Sequence, residues 1–310
     1  MRYGLNLRPA ERVPTVQGYV QMAELAERLQ FDTLWHFDHV VIPEGFDKSP
    51  YRHLYGREPN MTAAEPFFEP LTTLAFVAGQ VSTPRLGQAV LVVPYRNPVL
   101  TAKMLSNLDI LSGGRLIVGV GVGWNKEEFA TLDAPPYEAR GSVTNEYLEI
   151  FIDLWTKDAP TYYGTHYQVS QVNLQPKPVQ KPHPPIWVGG NSLPALRRVA
   201  RYGQGWLPLG LHPEQVAAKL PVLRRVCEEA GRNPDEIDIC ANGNVRFLAS
   251  TDVRVSERQP FSGTPQQIVE DIRRCQEIGI AELRLSTGGA NITAVTQTWE
   301  RFAHEVRPKV

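Results

Sequence analysis

The sequence predicts a single (β/α)8 barrel over residues 1–310, and three observations lead to this fold. Short β-branched runs alternate with amphipathic runs eight times, no linker divides the chain, and 310 residues with 42% hydrophobic content can bury one large core. Parallel strands need helical crossovers, and a closed barrel is the stable arrangement of eight strand–helix units. An open doubly wound sheet is the alternative.

The first half of the chain supplies four strands and one long loop. We expect strands over residues 2–7, 33–37, 85–93 and 116–120, and helices over residues 16–30, 71–81 and 99–111. The first helix carries Tyr19, Met22 and Ala26 at helical spacing, which gives it one apolar face. Asp38–Pro70 follows the second strand and has no regular period. A loop of this length in a compact domain is usually a lid or a binding loop.

The second half continues the alternation after an insertion. Residues 127–155 are expected to be helical with a break at Ala134–Pro136, and residues 161–169 to form a small hairpin before the fifth strand. The strand over residues 237–249 could be interrupted at Asn242–Asn244. The remaining strands are expected at 186–188, 205–209 and 282–286, and the remaining helices at 193–202, 213–230, 265–278 and 293–306.

Charge and composition favour a small-molecule partner. The formal net charge of −1 with interspersed signs argues against nucleic-acid or anionic-membrane binding. No apolar run approaches the roughly 20 residues of a membrane span, and a strand follows Met1 directly, so we expect a cytoplasmic protein. Cys227, Cys240 and Cys275 are widely spaced, which favours buried reduced thiols over disulfides or a zinc site.

Two strand ends carry glycines. Gly119-Val120-Gly121-Val122-Gly123-Trp124 follows the fourth strand, and Gly189-Gly190-Asn191-Ser192 follows the fifth. Without a Cβ atom, the backbone there admits another backbone segment or a ligand, and two such strand ends suggest one shared ligand. Asn125 and Glu128 are spaced as a helix N-cap and its reciprocal partner. A tight turn is the structural alternative, and the order of the glycines differs from a dinucleotide-binding motif.

The active sites of such barrels lie at the C-terminal ends of the strands. His39 is the only histidine at a predicted strand end that has a carboxylate, Asp38, beside it. A neutral imidazole gives or takes a proton near neutral pH, and a carboxylate fixes its tautomer. A purely structural histidine is the alternative. His36, Asp38 and His39 could also be metal ligands, but no later strand supplies convincing further ligands.

Several motifs together resemble the bacterial-luciferase-like flavin superfamily, and most closely its actinobacterial branch predicted to use the deazaflavin coenzyme F420. The resemblance covers nearly the whole chain and weakens after Leu211. The motifs are Leu29–Trp35 with Asp38-His39, Arg85–Val90, Asn97-Pro98 through Arg115, Gly119–Trp124, Arg140-Gly141 and Pro185–Ser192.

The resemblance implies a barrel that holds a flavin or deazaflavin ring on its strand ends, with the phosphate near the helix that follows Gly190. A helix N-terminus suits an anion. The resemblance also implies a non-proline cis peptide bond between Ala89 and Val90. The implied cofactor-binding residues are Asn6, Ala89, Val90, Gly121, Gly123, Trp124, Gly189, Gly190, Asn191 and Ser192.

The implied activity is hydride transfer between F420 and a small organic substrate covered by the Asp38–Pro70 loop. His39 is expected to donate or accept a proton, Asp38 to orient it, and Trp124 to form an apolar wall. Related F420-dependent sugar-phosphate dehydrogenases carry an acidic residue at the position of Trp124. The role of general acid at that position therefore does not transfer to this chain. Related monooxygenases carry a histidine and a tyrosine that contact the flavin phosphate; the corresponding places here hold Tyr137 and Gly141.

Two alternatives to the F420 enzyme stay open. One is an FMN-dependent monooxygenase supplied with reduced flavin by a separate reductase, and the other is a flavin-binding protein without catalysis. Related barrels often pair, which suggests a homodimer. Candidate cations for the acidic tail of F420 are Arg8, Arg12, Arg197 and Arg198.

Overall fold

A computed structural model describes residues 1–7, 15–42, 67–248, 258–289 and 291–310. Most of the predicted Asp38–Pro70 loop, together with Arg8 and Arg12, lies outside these residues. Among the described residues, no helix is long and apolar enough to cross a membrane. The three cysteines are free and buried, as predicted.

Eight parallel strands close into a barrel, which confirms the predicted fold class. Each strand pairs with the next along the chain, and the eighth pairs with the first. The third strand continues beyond a break as Leu91–Val92. The strands are β1 Arg2–Asn6, β2 Thr33–His36, β3 Arg85–Gln88, β4 Leu116–Gly121, β5 Ile186–Gly189, β6 Gly205–Leu207, β7 Asp238–Asn244 and β8 Glu282–Ser286.

Helices surround the barrel, and side-chain caps begin most of them. Thr15 caps α1, Asn125 caps α4 and Ser192 caps α6, because each side chain accepts a hydrogen bond from an N–H of the first turn. The helices are α1 Val16–Arg28, α2 Pro70–Ala78, α3 Pro98–Leu111, α4 Lys126–Thr131, α5 Arg140–Thr156, α6 Leu193–Tyr202, α7 Pro213–Glu229, α8 Pro265–Ile278 and α9 Ile292–Arg301.

Three local predictions were tested. The insertion is a hairpin, as predicted, in which Tyr162–Tyr163 pairs antiparallel with Gln168–Val169. The predicted single strand over residues 85–93 is wrong, because its ladder breaks at Ala89 and Val90. The interruption considered at Asn242–Asn244 is also wrong: these residues continue β7 and pair with β8.

The barrel interior is closed at its N-terminal end by an ionic cluster. Glu282 is fully buried and accepts hydrogen bonds from Trp35 Nε1 at 2.7 Å, Arg85 Nη2 at 2.8 Å and Arg2 Nε at 3.3 Å. Above this cluster lies an apolar layer. Its buried members are Trp35, Ile117, Trp187, Leu207 and Cys240, and Ala89 and Val90 pack against them. The interior is therefore filled, and the open end lies at the C-terminal ends of the strands.

His36 points away from this interior, toward the helices. Its ring packs edge-on against Tyr19 of α1 at 5.6 Å, and the residue is 1% exposed. Among the described residues, none lies within ordinary hydrogen-bond geometry of either ring nitrogen, or of the side-chain amide of its register neighbour Gln88. Burial lowers the pKa of His36 to about 4, although the nearby Glu69 opposes the shift.

We predict that His36 makes the protein sensitive to acid. An unfolded histidine titrates near 6.5, so between about pH 6.5 and 4 the unfolded chain binds a proton that the folded chain does not. Stability falls as the pH falls through this window, by about 3 kcal/mol in total. His36→Phe should remove this part of the pH dependence, measured as the free energy of unfolding in urea between pH 7 and 4. Replacing the exposed His304 by Gln is the control, and equal slopes in wild type and His36→Phe would refute the assignment.

Candidate active site

His39 lies at the mouth of the barrel and is held by a buried carboxylate. Its Nδ1 lies 3.0 Å from Oε2 of Glu128, on α4. The His39 side chain is 11% exposed and that of Glu128 is fully buried. Because an ionised carboxylate only accepts hydrogen bonds, it assigns the proton to Nδ1 and leaves the lone pair on Nε2. Among the described residues, none hydrogen-bonds to Nε2.

Glu128 collects donors from three segments of the chain. Oε1 accepts from the N–H of Val40 at 2.7 Å and from that of Val41 at 3.3 Å. Oε2 accepts from Tyr95 Oη at 2.9 Å in addition to His39. Asn125 Oδ1 caps the Glu128 N–H as predicted, but the expected reciprocal bond is replaced by these long-range ones. Glu128 therefore positions His39 and the segment after it.

Asp38 is not the partner of His39, which corrects the predicted orienting role. Its Oδ2 accepts from the Val92 N–H at 2.9 Å and from Arg96 Nη1 at 2.7 Å, and its Oδ1 accepts from Arg96 Nη2 at 2.9 Å. Burial raises the pKa of Asp38, and the bonds from Arg96 oppose that rise. Adjacent side chains along an extended chain point to opposite sides, which separates Asp38 from His39.

Arg96 connects two segments that are far apart in sequence. Besides Asp38, it donates from Nη2 to Glu69 Oε1 at 2.8 Å, and Glu69 is the N-cap of α2.

The contacts of the three candidate metal ligands bear on the metal alternative. Asp38 faces Arg96, His39 faces Glu128 and His36 packs on Tyr19, so these three side chains do not converge. Within the described part of the chain, no group of three potential ligands is placed to hold a metal ion.

Aromatic side chains surround His39. The ring of Trp124 lies edge-on at 5.9 Å, and that of Phe67 lies at 5.7 Å. Phe37 packs on Phe67 at 5.3 Å and completes the group. The structure thus brings Trp124 next to His39, where an apolar wall was expected.

The strand-end glycines accommodate Val90. The bond between Ala89 and Val90 is cis, as predicted, and the Val90 side chain lies over the ends of β4 and β5. A Cβ atom on Gly121 would lie 2.3 Å from Val90 Cγ2, and one on Gly189 would lie 2.6 Å from Val90 Cγ1. A Cβ on Gly123 would meet Phe129 Cε2 at 2.6 Å. Glycine is therefore required at these positions by the packing of Val90 and Phe129.

The segment after β5 is held by its neighbours. Gly190 has a φ of 106°, a conformation that favours glycine, and its N–H donates to Leu207 O. The Asn191 amide exchanges two hydrogen bonds with the backbone of Leu209, at 2.7 and 2.9 Å. Ser192 Oγ accepts from the Ala195 N–H at the start of α6. The Asn191 and Ser192 side chains therefore shape the turn. Because these side chains are already hydrogen-bonded, only the backbone N–H groups of the turn could bind an anion.

Two of the arginines considered for the acidic tail of F420, Arg197 and Arg198, are described by the structure. The Arg198 guanidinium is hydrogen-bonded within the protein. Its Nε donates to Asn145 Oδ1 at 2.8 Å and its Nη2 to Gly141 O at 3.0 Å, which ties α6 to α5. Arg197 is exposed. Arg197 thus stays a candidate, whereas Arg198 is a structural residue.

Sequence reasoning missed two further side chains at the mouth, Asn242 and Arg284. Arg284 Nε donates to Asn242 Oδ1 at 2.8 Å, and Nη1 donates across the barrel to Ala89 O at 3.2 Å. Asn6, at the end of β1, follows the same inward alternation as Gly4, whose Cβ position faces Trp35. The period-two pattern of β8, with Glu282 and Arg284 on one face, could have identified the arginine.

Two cavities formed by described residues lie outside the barrel. One of about 680 Å³ runs between α1 and α9, and one of about 440 Å³ lies between α1 and α2. Neither is lined by a predicted site residue. The candidate active site is therefore the mouth itself, which is defined by His39 and Glu128, the aromatic wall, Val90 and Arg284.

The protein is thus of the (β/α)8-barrel class, with a filled interior and a histidine–carboxylate pair at the mouth of the barrel. The match to a family is specific: the luciferase-like monooxygenase family model matches residues 4–262, and the chain belongs to this family.

Relatives with different cofactors match the chain almost equally well. An uncharacterized Mycobacterium tuberculosis protein is 30% identical over 83% of this chain and 90% of its own length. The FMNH2-dependent dimethylsulfone monooxygenase of Pseudomonas putida is 28% identical over 75% of this chain and 63% of its own length. The F420-dependent glucose-6-phosphate dehydrogenase of Microbacterium testaceum is 27% identical over 75% of this chain and 65% of its own length.

Solved structures share the fold over almost the whole chain. The monooxygenase RslO1 from Streptomyces bottropensis superimposes with a TM-score of 0.78 at 23% identity, covering 99% of both chains. The coenzyme F420-dependent tetrahydromethanopterin reductase from Methanopyrus kandleri gives a TM-score of 0.74 at 18% identity, covering 99% of this chain and 98% of its own.

We predict that Glu128→Gln destabilises the protein more than the neighbouring Glu127→Gln. Four groups donate hydrogen bonds to the Glu128 carboxylate, and a glutamine at position 128 would place its NH2 group against two of them. The side chain of Glu127, by contrast, is exposed. An unsatisfied buried donor costs about 1–3 kcal/mol, and an exposed substitution usually changes stability by less than about 0.5 kcal/mol. Urea unfolding of both variants measures the difference, and equal stabilities would contradict the proposed role of Glu128.

Proposed function

We propose that the protein is an oxidoreductase that transfers a hydride between coenzyme F420 and a small organic substrate at the mouth of the barrel. The observation that carries this proposal is the pairing of His39 with a buried Glu128 beside an apolar aromatic wall. This pairing leaves Nε2 of a largely buried imidazole without a described hydrogen-bond partner, and we assign to that nitrogen the exchange of a proton with a bound molecule.

The residues at the mouth fit a flat tricyclic ring. Val90 offers an apolar surface, Trp124 and Phe67 offer aromatic ones, and Arg284 and Asn242 offer polar groups. When bound, the reduced cofactor supplies the hydride. His39 would supply or remove the accompanying proton through Nε2, and Glu128 would keep the imidazole in its tautomer. The aromatic wall would exclude water from the reacting atoms.

For the phosphate of the cofactor we propose the turn from Gly190 to Ser192, where backbone N–H groups lie at the start of α6. We retain Arg197 as a candidate for the acidic tail. We also propose that the enzyme works as a cytoplasmic homodimer and receives its reduced cofactor from a separate reductase, as expected from the resemblance. An FMN-dependent monooxygenase and a flavin-binding protein without catalysis are the competing outcomes of the tests below.

The first test is the choice of cofactor. We expect the purified apo-protein to bind oxidised F420 more tightly than FMN in titrations followed by absorbance and fluorescence. The reverse order would favour the monooxygenase. Binding of neither would refute a flavin or deazaflavin function.

The second test concerns His39. His39→Asn should lower turnover by roughly two to four orders of magnitude, the usual contribution of general acid–base catalysis, while cofactor affinity stays near that of the wild type. Turnover is measured as oxidation of the reduced cofactor by small aldehydes and ketones, or as reduction of the oxidised cofactor by small alcohols, with substrates found by screening. His304→Asn, on the surface, is the control. Loss of cofactor binding with normal turnover of the bound fraction would make His39 a scaffold residue.

Glu128→Gln separates positioning from chemistry. An amide NH2 can donate to Nδ1, which shifts the His39 proton to Nε2 and removes the lone pair that acts as a base. Nitrogen-15 spectra of the imidazole should show this exchange of protonated and unprotonated nitrogens. An unchanged tautomer would mean that Glu128 does not set the protonation of His39.

A further inference from the structure

Arg284 is a cation inside the barrel that has no counter-ion among the described residues. Its neighbour on the same face of β8, Glu282, is already bound by Trp35, Arg2 and Arg85. Among the residues that the structure describes, no carboxylate lies within 4.0 Å of the Arg284 guanidinium. Cys240, the other ionisable group near it, is a buried thiol whose pKa is raised to about 12, so it supplies no negative charge.

The hydrogen bonds of Arg284 leave one nitrogen open. Nε is bound by Asn242 Oδ1 and Nη1 by Ala89 O, and both acceptors are uncharged. Asn242 is in turn fixed by its own donation to Pro208 O at 2.7 Å. No described residue accepts from Nη2, and Nη2 is not among the enclosed atoms that lack a partner. The guanidinium is therefore held by two neutral acceptors, and Nη2 keeps N–H groups that no described residue accepts.

A partly buried guanidinium without an anion is costly, because desolvation opposes its charge. Burial lowers the pKa of Arg284 accordingly, although an arginine stays protonated at neutral pH. The two neutral acceptors around it do not balance the charge. Such a group is stabilised when a ligand brings negative charge to its open edge, and a planar fork best fits a planar anion with adjacent acceptor atoms.

We infer that Arg284 binds the anionic pyrimidine edge of the reduced flavin or deazaflavin ring and stabilises the reduced cofactor relative to the oxidised one. This inference rests on the proposed function, because it assumes that such a ring occupies the mouth. Reduction places negative charge on the N1–C2–O2 edge of the ring, which is planar and has two adjacent acceptors. Arg284 is thus a binding residue that tunes the redox balance, whereas His39 handles the proton.

The experiment compares the affinities of the oxidised and reduced forms of whichever cofactor the wild type binds. Titrations under anaerobic conditions give both dissociation constants. For Arg284→Met, which keeps the length but not the charge, we expect the preference for the reduced form to fall roughly tenfold to a hundredfold, as for the loss of a charge-assisted hydrogen bond. This corresponds to a midpoint potential about 30–60 mV lower for a two-electron couple. Arg284→Lys should lose part of the preference, because it keeps the charge without the fork.

Arg225→Gln is the matched control, because Arg225 is an exposed cation on α7 that pairs with Glu229 at 3.6 Å. It should leave the preference unchanged. A second measurement needs no variant: the reduced cofactor bound to wild type should keep its anionic spectrum to lower pH than the free cofactor. This measurement decides the matter if Arg284→Met does not fold.

Equal preferences in wild type and Arg284→Met, or identical pH titrations of bound and free reduced cofactor, would overturn the inference while leaving the proposed function intact. The same holds if Arg284→Met instead raises the KM for anionic substrates alone, since the open edge would then bind the substrate. If the wild type binds neither cofactor, the proposed function fails, and this inference fails with it.

Discussion

The mouth of the barrel depends on where one small side chain packs. Val90 lies across the ends of two strands, and only glycine at positions 121 and 189 leaves room for it. The break in the third strand, the paired glycine motifs and the Ala89 carbonyl that Arg284 reaches all belong to this single arrangement. A methyl group at either glycine would overlap Val90, because close-packed interiors do not yield at these distances. Protein packing alone is therefore enough to require glycine at these two positions.

A buried carboxylate provides the second constraint. Glu128 belongs to a six-residue helix, which is too short to be stable by itself. Its side chain replaces local capping with contacts to Tyr95 and to the segment after His39. The position of the helix and the direction of the imidazole are consequently set by the same group. Because a buried carboxylate needs all its donors, this cluster favours one arrangement of the mouth.

The sequence predicted what depends on periodicity and local chemistry. The eight strand–helix units, most helix boundaries and the hairpin follow from alternation and turn residues. The partner of His39 was assigned wrongly, because adjacency along the chain suggested Asp38, whereas the actual partner lies 89 residues away. Glu128 was noticed for its Asn-x-x-Glu spacing, but that spacing cannot distinguish a local cap from a long-range bond. Arg284 went unnoticed because its meaning depends on the lack of a counter-ion, which only the closed barrel reveals.

Arg96 has a consequence for how this enzyme family can diversify. It holds Asp38 and Glu69, which stand close to the two ends of the Asp38–Pro70 stretch. With both ends anchored to the barrel, the entropy of closing the intervening loop grows only with the logarithm of its length, by about 0.6 kcal/mol for each doubling. Insertions, deletions and new sequences between the anchors can therefore accumulate at little thermodynamic cost to the barrel. The contacts that Arg96 makes at the two ends can thus stay the same while the sequence between them changes.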